Sequence, residues 1–238
     1  MFFLQFIIIV LIPFVCTFGI ITNILVVYTV SYKENEKDLK ENQYKYMRLN
    51  AVFNILILII EPITLISECQ NYDLSIFCSQ VRTWMFSQYF KIIFGEYISN
   101  VLRLAANFSY VIFSLNRLSL IGLEHGNIIS KASKLDLKGF FLRIAAPCLI
   151  LPVVKIFRFY PNNFLPDYDY PMHIEQFFHD INVSWIYVYL SFNLLYDFTN
   201  YVLFLIINFI IDISLVVKMK QILFEKENKN LGQQILKK

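Results

Sequence analysis

The stretch IIFGEYISNVLRLAANFSYVIFSLNRLSLIG, residues 92–122, decides the architecture, because it is an apolar segment carrying polar residues at a fixed spacing. Glu96, Asn100, Arg103, Asn107, Tyr110, Ser114 and Arg117 recur at intervals of four and three, which on a helix aligns them on one face. Val101, Leu104, Ala105, Phe108, Ile112, Leu115 and Leu118 fill the opposite face. Such a helix has lipid or packed helices behind it and something polar in front. Glu96 to Arg117 covers roughly 31 Å of helix, close to the ~30 Å hydrocarbon core of a bilayer. The polar stripe is long enough to run from one interface to the other.

The composition around this stretch points the same way. Of 238 residues, 57% are hydrophobic and 16% charged, with a mean hydropathy of +0.54; soluble domains carry about 25% charged residues. The sequence is that of a membrane protein. A net charge of +3 leaves no basic footprint for nucleic acid. Cys16, Cys69, Cys78 and Cys148 form no C-x-x-C pair, and Cys16 and Cys148 fall in apolar runs as ordinary buried thiols. The charge-free N-terminal run ends only at Lys33, too long for a signal-peptide core of ~7–15 residues. It reads as a spanning helix that begins almost at Met1, with no extracellular domain ahead of it.

Five spans are expected, at about residues 3–31, 46–68, 92–122, 140–160 and 185–217, followed by a short basic tail over 218–238. The fold class is thus all-α, a single polytopic transmembrane helix bundle. Asn23, deep in the first span, calls for a hydrogen bond to a neighbouring helix. Asn50, Asn54 and Glu61 share a face of the second, where Pro62 can introduce a kink. The fourth span requires Arg143, Lys155 and Arg158 to snorkel from its ends. Fifteen Lys and Arg residues fall on one side, in the segments 33–48, 131–143 and 218–238; only Arg82, Lys91, Lys155 and Arg158 fall on the other. The positive-inside rule places the N-terminus outside and the C-terminus inside.

Three places carry a family resemblance: GIITNILVV in the first span, MRLNAVFNILILIIEP entering the second, and FSLNRLSLIG closing the third. With them the chain resembles a rhodopsin-like G-protein-coupled receptor, the seven-helix family, cut after its fifth helix. Among its branches the chain looks most similar to divergent invertebrate peptide receptors of the FMRFamide type. In the family the third helix closes on Asp-Arg-Tyr, and Asn116-Arg117-Leu118 stands in that place here. The resemblance implies a plasma-membrane protein that binds an extracellular ligand, of the neuropeptide kind, and signals to a heterotrimeric G protein through Arg117. Physics alone offers the alternative of an arginine snorkelling to lipid phosphates. A truncated, non-signalling isoform and an unrelated transporter or channel subunit are the competing classes.

Arg103 lies about 21 Å above Arg117, and Glu61 about 20 Å above Arg48 at the inner end of the second span. Charges at equal depth in a membrane pair or face a cavity, so Glu61 and Arg103 are expected to form an ion pair, either lining a ligand cavity or purely structural. Glu96 is either a further pocket residue or a carboxylate at the interface, and Asn107 joins Glu61, Glu96 and Arg103 as a candidate ligand contact. Asp212 lies near the level of Arg117 and could pair with it. Cys69 and Cys78 fall on the outer side, where a disulfide between them competes with two free thiols. Asn182-Val183-Ser184 is a glycosylation sequon on that side, whereas Asn107-Phe108-Ser109 lies in the membrane and is discounted. The spacing of His173, Glu175, His179 and Asp180 matches no zinc pattern. Neither a metal nor a cofactor is expected, and no nucleophile elbow or phosphate loop suggests an enzyme.

Overall fold

The structure is a computed structural model that describes residues 10–32, 42–65, 81, 84–120, 136–157, 159–160, 172–173 and 183–235. It is almost entirely helical, with five helices long and apolar enough to cross a membrane. The first, Ile12–Ser31, has Pro13 in its opening turn, where a missing N–H breaks no intrahelical bond. The second, Asn42–Leu65, carries Pro62 in its last turn. The third runs unbroken through Met85–Phe90, a π-helical segment Lys91–Ile98 and Ser99–Leu120. The fourth comprises Leu137–Ile150, a turn at Leu151 and Pro152, and Val153–Ile156. The fifth comprises Val183–Asp197, a second π-helical segment Phe198–Leu203, and Phe204–Ile235.

Several bounds differ from the sequence expectation, each for a local reason. The third helix starts at Met85 instead of 92, because the polar Ser87 and Gln88, which end the apolar run in the sequence, are buried. The fourth starts at Leu137, where the Asp136 side chain caps the helix by accepting from the Gly139 N–H at 2.8 Å. It stops at Ile156, and Phe159–Tyr160 (β1) pairs antiparallel with Met172–His173 (β2), so the expected all-α chain also contains this two-residue ladder. The fifth helix continues to Ile235 through most of the expected tail; from Lys218 onward the sequence has no proline and is rich in Lys, Gln, Leu and Glu, all good helix formers. The expected start of the first helix at residue 3 lies outside the described residues.

The third helix is the hub, packing against the second, fourth and fifth, while the first packs on the second. Its apolar face supplies Leu104 and Ala105 to a cluster with Cys148, Tyr196 and Phe204. One end of the bundle packs Ile112 against Tyr46 and Phe140, and Leu118 against Ile211 and Leu215. Gly19 allows the first and second helices to approach closely: a Cβ there would lie 2.8 Å from Leu58 Cδ1.

The outer surface is apolar, with Phe14, Phe18, Phe86, Leu142, Leu194, Leu205 and Phe209 all exposed. An apolar surface this extensive belongs in contact with lipid or another apolar partner. Hydroxyls on that surface turn inward to their own helix: Thr17 donates to the Pro13 carbonyl, Ser191 to that of Tyr187 and Ser214 to that of Ile210, at 2.7–2.8 Å. This satisfies them without water. Asn23 does the same. Its Nδ2 donates to the Gly19 carbonyl at 2.7 Å, so the expected bond to a neighbouring helix is replaced by one within the first helix.

Candidate functional site

The polar residues of the third helix divide between two settings. Along Lys91–Arg103 they wall a cavity of about 510 Å³ that opens between the helices. The second helix contributes Glu61 and Thr64, the third Lys91, Gly95, Glu96, Asn100 and Arg103, the fourth Lys155, and the fifth Asp197 and Tyr201. Four helices converge here. The volume is in the range of small-molecule sites, ~300–1,000 Å³, although such sites are usually more apolar.

Glu61 and Arg103 form an ion pair across the second and third helices. Glu61 Oε1 takes Arg103 Nη2 and also the Ser99 hydroxyl, the latter at 2.9 Å. Arg103 Nη1 donates to the Tyr201 hydroxyl at 2.9 Å, tying the pair to the fifth helix. The rigid fork of the guanidinium lets one arginine reach two helices at once. Both side chains remain about one-third accessible from the cavity, 33% for Arg103 and 30% for Glu61.

A second ion pair stands on the fourth and fifth helices, where sequence reasoning placed none. Lys155 Nζ donates to Asp197 Oδ1 at 2.7 Å and sits 5.2 Å from the centroid of the Tyr196 ring. Lys155 was expected to snorkel to the interface; instead it is 5% exposed and turned into the bundle. The backbone turn at Leu151 and Pro152 separates it from the preceding helical segment. The available signal was Asp197, the sole charge between Asp180 and Asp212 in the sequence, which in an apolar setting demands a cation. Tyr196 joins the two halves of the site, its ring beneath Lys155 and its hydroxyl donating to the Asn100 carbonyl at 3.1 Å.

Both π-helical segments contribute to the cavity wall: Lys91–Ile98 supplies Lys91, Gly95 and Glu96, and Phe198–Leu203 supplies Tyr201. π-Helical insertions are frequent at functional sites because the wider turn re-aims side chains. Gly95 is needed for close approach. A Cβ at that position would meet Thr64 Cγ2 at 2.6 Å, and Thr64 is itself buried, with its hydroxyl donating to the Glu61 carbonyl at 2.8 Å.

Below Arg103 the stripe becomes part of the packing. Asn107 does not line the cavity; its Nδ2 donates to the Asn200 carbonyl and to Asn200 Oδ1 at 3.0 and 2.9 Å. Tyr110 donates to Asp212 Oδ2 at 3.3 Å, and Arg117 is exposed with its guanidinium carbon 5.4 Å from the Phe113 ring centroid. Asp212 is thus engaged by Tyr110 in place of the Arg117 partnership considered from sequence. Cys69, Cys78, Asn182, Glu175, His179 and Asp180 lie outside the described residues. Among the described residues no group of three or more His, Cys, Asp or Glu could hold a metal ion, and Cys16 and Cys148 are buried free thiols.

Comparison with known proteins returned no match, whether among protein-family models, curated proteins or solved structures.

Proposed function

We propose that this chain is an integral membrane protein that binds a polar ligand in the cavity between its helices and transmits occupancy along the third helix, in the manner of the rhodopsin-like receptors its sequence resembles. The observation that carries this reading is the cavity walled by two ion pairs drawn from four helices. Charges held inside an apolar bundle are costly and are characteristic of substrate and ion pathways. Here Glu61–Arg103 spans the second and third helices and Lys155–Asp197 the fourth and fifth. A ligand that competes for either pair favours one helix arrangement over another, which is the thermodynamic content of receptor activation. The fifteen Lys and Arg of segments 33–48, 131–143 and 218–238 favour an orientation with the cavity toward the outside and Arg117, about 21 Å further along the helix, toward the inside. At that end an exposed arginine is available to a heterotrimeric G protein in the plasma membrane.

The test is nucleotide exchange. Vesicles containing the purified protein should stimulate GTP-analogue loading of heterotrimeric G proteins above the level of empty vesicles, and Arg117→Ala should remove the stimulation. No stimulation by any G-protein class, together with solute flux through the same vesicles, would replace the receptor reading with a transport one.

A further inference from the structure

We propose that the cavity recognises a small zwitterion, a molecule carrying one anionic and one ammonium-like group with no net charge. This rests on the reading of the cavity as a ligand site and names the chemistry it takes. Among the described residues the wall carries Lys91, Arg103 and Lys155 against Glu61, Glu96 and Asp197, a balance of three charges of each sign. A solute with a single net charge would unbalance that set, leaving its own desolvation only partly compensated. A zwitterion leaves the balance intact and offers one opposite charge to each sign of the wall.

The hydrogen bonding leaves capacity for both ends. An ammonium has three donors, and at Lys155 one of them goes to Asp197 Oδ1 while the side chain is only 7% exposed. The other donors of this buried lysine at the cavity wall are available to an anionic group. On the acidic side, Glu61 Oε1 takes both Ser99 and Arg103, and Asp197 Oδ1 takes Lys155. Their second oxygens, Glu61 Oε2 and Asp197 Oδ2, take no hydrogen bond among the described residues, so each can accept from an ammonium. A carboxylate with two oxygens offers about four acceptor sites, and only one oxygen of each is committed. The two ion pairs are therefore closed on each other yet unsaturated on both sides, which suits a ligand that inserts between them.

The same chemistry is presented by a free amino-acid-like solute and by a zwitterionic lipid headgroup, and the experiment separates them. The protein is reconstituted into nanodiscs of phosphatidylglycerol, which carries no ammonium. Its thermal midpoint is then measured with two zwitterions of different charge separation, β-alanine and ε-aminocaproate, and with the single-charge analogues caproate and pentylammonium. At least one zwitterion should raise the midpoint by about 2–5 °C near saturation, with no shift from either single-charge analogue. In Asp197→Asn, whose wall is cationic, caproate should become stabilising; in Lys155→Met, whose wall is anionic, pentylammonium should. The wild-type comparison stands if either variant fails to fold.

Repeating the wild-type series in phosphatidylethanolamine discs identifies the source. A zwitterion effect that persists marks a soluble ligand, and one that disappears there marks the headgroup as the occupant; both uphold zwitterion recognition. Stabilisation of the wild type by caproate or pentylammonium alone would overturn the zwitterion assignment and leave the cavity as a ligand site. Absence of any shift, in wild type and variants and in both lipids, would overturn the site as well.

Discussion

The two ends of the third helix are built on different principles. From Lys91 to Arg103 the helix begins π-helical, borders a polar cavity and meets its neighbours through charges: Glu61 on one side and the hydroxyl of Tyr201 on the other. From Ala105 to Leu118 it is α-helical and meets them mainly through packed apolar side chains, with Ile112 against Phe140 and Leu118 against Ile211 and Leu215. A charge-built region is unforgiving of a lost partner and open to exchange with a ligand. A packed region tolerates little change in volume and offers a ligand nothing. On the proposed reading, recognition belongs to one end and rigidity to the other.

Four substitutions probe this contrast in order of expected effect. Arg103→Leu should be the most damaging, about 3 kcal/mol, at the lower end of the cost of stranding one member of a buried pair because Glu61 retains some access to the cavity. Thermal unfolding in nanodiscs reads it. Phe140→Ala, in the packed region, should cost about 2 kcal/mol, below the soluble-core range, because in the proposed bilayer setting lipid is as apolar as the side chain lost and only the packing term remains. An effect larger than that of Arg103→Leu would reverse the proposed division.

Gly95→Ala should cost about 1 kcal/mol through overpacking against Thr64 Cγ2. Because Thr64 is anchored to the Glu61 carbonyl, it should also alter zwitterion binding, read as a changed midpoint shift with the same probes. Tyr110→Phe should be nearly silent, about 0.5 kcal/mol, since it removes one long hydrogen bond to Asp212 on an accessible face and intramembrane hydrogen bonds average about 0.6 kcal/mol. A large loss there would show that the packed end also depends on polar contacts.

The five long helices were legible in the sequence because apolar runs of bilayer length leave few alternatives, and the Glu61–Arg103 pair was legible because each residue lies about 20 Å along its helix from an arginine, Arg48 or Arg117. Lys155–Asp197 was not. Lys155 sits beside Arg158 at the end of a short apolar run, where snorkelling is the ordinary outcome, and only the turn at Leu151 and Pro152 with the fifth helix alongside gives it an inward partner. The π-helical segments have no residue signature: KIIFGEYI and FTNYVL would serve equally well in an α-helix. Periodicity also does not separate cavity residues from packed ones. Asn107 shares the face of Arg103, but the face turns from cavity to neighbour within one turn of helix, and its amide is spent on Asn200.

Glu61 and Arg103 are partners on which the cavity depends, and charge exchange is the decisive experiment. Thermal midpoints would be compared in nanodiscs for Glu61→Arg, Arg103→Glu and the double exchange. The expected result is a marked loss in each single variant and recovery of most of it in the double, since the exchanged pair restores opposite charges at the same depth. A double variant no more stable than the worse of the two singles would contradict the pairing and with it the account of the site.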